Sequence, residues 1–120
     1  MMHTIIFYHD KNGHEPVKAY IDELSAKNDK NSRIKHDKII AYIKVLQNYG
    51  TIAGEPYLKH IDGDIWELRP LRDRIFFAAW IDDSFLLLHH FVKKSQKTPM
   101  REIEKAKREL EDFRKREIKQ

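Results

Sequence analysis

The sequence predicts an α+β fold, ordered β-α-α-β-β-β-α, with a mostly antiparallel sheet packed by helices. Three observations carry this. Apolar residues recur at helical spacing in three separate segments. Runs rich in β-branched and aromatic residues fill most of the remainder. Two of those runs, "RIFFAAWI" and "SFLLLHHFV", are joined by only Asp82-Asp83, too short a connection for anything but an antiparallel return.

The elements follow in order. "HTIIFYHD" (3–10) reads as a first strand, and Lys11-Asn12-Gly13 as a turn. Glu15-Pro16 opens a helix whose Val17, Tyr20, Ile21 and Leu24 fall on one face. A polar break, "SAKNDKNS" (25–32), separates it from a second helix that runs to about Tyr49, with Ile39, Tyr42, Ile43 and Leu46 as its stripe. Gly50 is the stop. The two helices are expected to form an antiparallel hairpin.

Residues 50–56 read as a loop. "YLKHI" (57–61) and "IWELR" (65–69) flank an Asp62-Gly63 turn and can pair as a hairpin, which Pro70 ends. "RIFFAAWI" (74–81) and "SFLLLHHFV" (84–92) are apolar on both faces, which implies a sheet covered on both sides. Thr98-Pro99 reads as N-cap and first residue of a last helix, reaching to about Arg116 on a stripe of Ile103, Ala106, Leu110 and Phe113. A single domain over 1–120 is expected, with no internal repeat and no linker.

Composition narrows the function classes. The chain has 120 residues, 41% hydrophobic, and no cysteine, which excludes disulfide and thiolate chemistry and suits a reducing cytoplasm. No apolar run approaches the ~20 residues of a membrane span, and the N-terminal stretch lacks the basic segment of a secretory signal. A cytoplasmic protein with no membrane partner is the expectation. Net charge is +4, unevenly distributed. Residues 1–92 hold 12 Lys+Arg against 13 Asp+Glu, and residues 93–120 hold 11 against 6. The excess begins at Lys93-Lys94. A local positive field suits phosphate backbones, acidic proteins or anionic membrane, while a solvated helix face accounts for charge alone equally well.

Hairpin topology concentrates part of this charge. Arg69 ends one strand, Arg72 lies in the short connection, Arg74 begins the next strand, and Lys93 and Lys94 close the last one opposite it. With Lys97 they should gather at one end of the sheet, where several phosphates can bind together. In a strand regular to residue 94, Lys93 would share a face with Phe91 and Lys94 with Val92, so only one lysine would serve a site. His89 and His90 are adjacent and face opposite sides, which is wrong for a two-histidine metal site. No metal or cofactor is expected. There is no glycine-rich phosphate loop and no nucleophile elbow.

"IWELRPLRDRIFFAAW" and "FLLLHHFVKKSQKTPMREIEKAKRELEDF" together resemble the HigB-like branch of the RelE/ParE toxin superfamily. The resemblance covers roughly residues 57–113, and the βαα start agrees in order. It implies a RelE-like fold and a toxin of a type II toxin–antitoxin system. Its activity would be that of a ribosome-dependent, metal-independent mRNA endonuclease that inhibits translation. A cognate antitoxin, helix-turn-helix and HigA-like, would neutralise it in a heterotetramer. By the same resemblance, Arg74 contacts the scissile phosphate, Arg69 is the strand-end arginine, and Lys93 and Lys94 are the RNA-contacting pair. Arg72, Lys97 and Lys59 are further RNA-binding candidates.

Cleaving RNA requires a base for the 2′-OH, cations for the phosphorane and an acid for the 5′-oxygen. Glu67, His60 and a lysine shifted by cationic neighbours all stand as candidate bases. The chain departs from the family pattern in two places. Glu67 sits where RelE-type toxins carry a lysine, and Phe113 is the only aromatic near the C-terminal end, with no tyrosine to act as acid. A ParE-like gyrase poison and an inactive antitoxin-binding relic are the alternative readings.

Overall fold

The computed structural model describes residues 2–117. The single domain expected over 1–120 includes Met1 and residues 118–120, which lie outside the described residues. The elements are β1 (Thr4–Phe7), α1 (Pro16–Ala26), α2 (Lys30–Tyr49), a 3₁₀ turn (Gly50–Ala53), β2 (Leu58–Asp62), β3 (Ile65–Leu68), β4 (Asp73–Trp80), β5 (Ser84–Val92) and α3 (Met100–Glu117). Four strands, not three, follow the helical pair, because the 57–61 arm is a full edge strand. All five form one sheet in the order β1-β5-β4-β3-β2. Only β1 runs parallel to its neighbour, with Thr4 opposite Ser84 and Phe7 opposite Leu87.

The sheet is covered on both faces, as the double-sided apolar runs required. On one face, Val17, Ile21 and Leu24 of α1 and Ile39, Ile43 and Leu46 of α2 pack on Leu68, Ile75, Phe77 and Leu87. On the other, Ala106, Leu110 and Phe113 of α3 pack on Ile65, Phe76, Ala78, Leu86 and Leu88. Each fully buried Leu or Phe contributes about 1.5–3 kcal/mol. A bulge between Phe76 and Phe77 shifts the β4–β5 register without moving either ring from its own layer.

Local chemistry sets the boundaries. β1 is shorter than the 3–10 run because Asp10 draws the chain into a turn. Its carboxylate accepts from the Asn12 and His14 N–H groups, and Gly13 follows with φ +83°. The polar break before α2 is also shorter than expected. Asp29 caps the helix, accepting from the Ser32 N–H at 2.9 Å and the Ser32 hydroxyl at 2.8 Å. The 82–83 turn has both aspartates left-handed, at φ 57° and 61°, the backbone a tight hairpin requires. α3 begins at Met100, and the Pro99 carbonyl accepts from the Glu102 and Ile103 N–H groups. Among the described residues, no helix is long and apolar enough to cross a membrane.

Candidate functional site

The site lies where β3 ends, β4 begins and β5 ends. Pro70 stops β3, and Leu71 turns the chain through a left-handed backbone at φ 60°. The Lys93 N–H donates to the Arg72 carbonyl at 2.9 Å, fastening the end of β5 to this turn. The result is a cavity of about 590 Å³ whose wall includes Arg69, Leu71, Arg72, Arg74, Lys93 and Lys94.

Glu67 organises two of these cations. It is 1% exposed, and its Oε2 lies 3.4 Å from Arg69 Nε and 3.7 Å from Arg74 Nε. Its Oε1 has no hydrogen-bond partner among the described residues. Arg74 is itself 9% exposed and donates from Nη1 to the carbonyls of Leu71, at 2.7 Å, and Asp73, at 2.9 Å. Burial lowers the pKa of Arg74 from its ordinary value. The carboxylate of Glu67 opposes that shift, and the Arg69 cation adds to it. A guanidinium nevertheless stays charged at neutral pH. The cavity therefore sets five cations against one buried carboxylate.

The hairpin topology thus brings Arg69, Arg72, Arg74, Lys93 and Lys94 together. Both lysines reach the same cavity because β5 ends at Val92, so strict alternation no longer applies to them. Lys97, expected in the group, lies beyond the lining, and Ser95 and Gln96 occupy that part of the wall. Lys59 pairs with Glu67 across β2–β3 and is exposed, outside the cavity. His60 pairs with Trp66, one residue out of phase with Glu67, and so belongs to the opposite face of the sheet. Its Nε2 meets the Gly63 carbonyl at 2.7 Å, and its ring lies edge-on to Trp66.

Two polar clusters flank the cavity, and the sequence pattern showed neither. On the α1/α2 side, the buried Asp73 accepts from the Tyr20 hydroxyl at 3.0 Å, with Lys35 Nζ at 3.9 Å and His90 Nε2 at 4.0 Å. Tyr20 and His90 stack at 3.5 Å. Burial raises the Tyr20 hydroxyl and lowers the His90 imidazole, and the Tyr20 hydroxyl raises Lys35. On the α3 side, the 2% exposed His89 places Nδ1 2.6 Å from Glu109 Oε1 and Nε2 2.9 Å from Glu102 Oε1. The two histidines do face opposite sides. Among the described residues, no group of three or more His, Asp or Glu is arranged to hold a metal ion.

Such a cavity can hold several anionic oxygens at fixed positions and stabilise charge that develops on them. Residues 19–111 match the model of the family described as phage derived protein Gp49-like (DUF891). That span takes in the whole cavity and both flanking clusters. No curated protein matches the chain.

Proposed function

The chain belongs to the Gp49-like family, a RelE/HigB-like toxin family of toxin–antitoxin systems, and from that membership we propose that it is a ribosome-dependent mRNA endonuclease that stops translation. The cavity that locks Arg74 between Glu67 and the Leu71 carbonyl, and sets four further cations around it, carries this reading.

The chemistry is a transfer within the RNA. The 2′-oxygen attacks the neighbouring phosphorus, the P–O5′ bond breaks, and the proton lost by the 2′-OH is balanced by one gained at O5′. Arg74 and Arg69 hold the two non-bridging oxygens, and their charge meets the negative phosphorane, so cationic side chains supply the stabilisation without a metal. Glu67, sealed beneath the two guanidinium groups, aligns them. Lys93 and Lys94 are the amines in the wall that exchange protons with O2′ and O5′. Arg72 binds an adjacent phosphate, and Lys59 and Lys97 follow the strand outside the cavity.

The toxin acts as a single domain in the cytoplasm. A toxin of this family implies a cognate antitoxin. We assign that role to a helix-turn-helix protein that covers the basic end in a heterotetramer.

Induced expression in a bacterial host, followed by primer extension, tests the reading. Cuts are expected in a translated transcript, absent when its start codon is removed, and absent with a folded Arg74→Ala variant. Growth arrest without cuts would overturn the nuclease reading in favour of a gyrase poison. Neither arrest nor cuts would leave an antitoxin-binding relic.

A further inference from the structure

The nuclease chemistry leaves the buried His89 and its two carboxylates without a task. Both ring nitrogens lie within hydrogen-bond distance of carboxylate oxygens, one from each glutamate. Glu109 is 8% exposed and turned inward. Glu102 differs. Its side chain is 19% exposed, only Oε1 is committed to His89, and the residue lines a second cavity of about 370 Å³.

This second cavity shares Lys94 and Ser95 with the phosphate cavity, so one loop walls both. Its other lining is mixed. Phe91, Val92 and Pro99 supply apolar surface, and Arg101 adds a second cation beside Lys94. A flat heterocycle attached to a phosphate fits that combination: apolar walls for its faces, cations for its backbone, and one fixed acceptor for its edge.

Resting on the nuclease reading, we infer that this cavity is a nucleobase subsite, and that Glu102 selects cytosine or adenine, the bases with an amino group at C4 or C6, next to the scissile phosphate. Oε2 accepts a hydrogen bond from the exocyclic amine of cytosine or adenine. Uracil turns a carbonyl toward the same carboxylate and is repelled. His89 and Glu109 are positioning residues that hold the acceptor rigid. A single hydrogen bond to a charged group discriminates by roughly tenfold.

Glu102→Gln tests this directly. The amide oxygen takes over the contact with His89 Nε2, and the NH₂ group then faces the cavity, turning the acceptor into a donor. Cut positions are mapped on translated messages for the parent, for Glu102→Gln, and for Glu104→Gln as an exposed control on the same helix. The parent and the control should favour cytosine or adenine over uracil at one position relative to the cut, by about tenfold. Glu102→Gln should favour uracil at that position. Titrating the free protein with cytidine 5′-monophosphate and uridine 5′-monophosphate, followed by NMR at Val92 and Glu102, reads the same preference without the ribosome. Cutting whose base preference is indifferent to Glu102→Gln, or equal affinity for the two nucleotides, overturns the subsite and leaves the nuclease standing. A cytidine preference that Glu102→Gln reverses, in a protein that never cuts, supports the subsite and overturns the nuclease. No cutting and no nucleotide binding overturns both.

Discussion

Arg74 donates from Nη1 to the carbonyl of Leu71 at 2.7 Å, and Leu71 presents that carbonyl from a left-handed backbone at φ 60°. For a leucine this conformation costs about 1–2 kcal/mol. The side chain is 48% exposed, so burial recovers only part of it. Leu71→Gly is expected to fold with stability within about 1 kcal/mol of the parent, strain relief offsetting chain entropy. Leu71→Val, branched at Cβ, should lose about 1–2 kcal/mol. Chemical denaturation of the two variants separates these outcomes, and equal losses for both would remove the backbone strain from the account of Arg74.

Removing Arg74 leaves Glu67 buried with only Arg69 beside it. Arg74→Ala should therefore cost about 2–3 kcal/mol in unfolding free energy as well as abolishing cleavage. Adding Glu67→Gln should return about half of that stability, because the stranded charge is gone, while cleavage stays absent. Denaturation of the single and double variants gives the coupling. Additive losses would mean that the two side chains do not sense each other.

Burial lowers the His90 imidazole below its ordinary value, with Asp73 opposing and the His89 and Lys35 charges reinforcing the shift. The native ring then binds fewer protons than the unfolded one. Its contribution is fully present above the unfolded pKa of about 6.5 and is lost as pH falls from there through the lower folded value. Urea midpoints should drop between about pH 7.5 and pH 5.5, and His90→Phe, which keeps the stack on Tyr20, should flatten that slope. Asp112 titrates in a different window. Arg116 holds its carboxyl below the carboxylate range, so its loss appears only at stronger acidity. An unchanged slope in His90→Phe would assign the acid sensitivity elsewhere.

Gly50 ends α2 at φ 65°, and a Cβ there would stand 2.8 Å from His3 Nε2. His3 is held by Asp83 Oδ1 at 3.0 Å and packs on Phe85. Gly50→Ala should cost about 2–3 kcal/mol, of which about 1–2 is backbone and survives in a His3→Ala background. Thermal melts of the three variants check this partition. No recovery in the double variant would mean that the ring yields without cost.

Much of this architecture was legible in the residues. Periodicity located all three helices within a residue or two at most ends, and the two-aspartate turn alone was enough to bring Arg74 opposite the end of β5. What escaped has physical reasons. The parallel pairing of β1 with β5 joins residues 80 positions apart, and no local pattern encodes it. Alternation assigns Glu67 to a face but does not reveal that two guanidinium groups seal it. Tyr20 fits a helical stripe as an ordinary core residue, and its bond to Asp73 emerges only once α1 is laid on the sheet. The Asp29–Ser32 cap, by contrast, is readable from two residues three apart, inside the polar stretch 25–32.

The place of β5 in the sheet, between the first strand and the fourth, has a consequence for synthesis. While the chain emerges from the exit tunnel, β1 has no neighbour to join until residues 84–92 appear. Lys93 and Lys94 emerge immediately after them. A chain stalled or truncated before that point has neither a continuous sheet nor the far wall of its cavity. Joining of β1 to the sheet and assembly of the cationic end are therefore one event, reached only when residues 84–94 are in place.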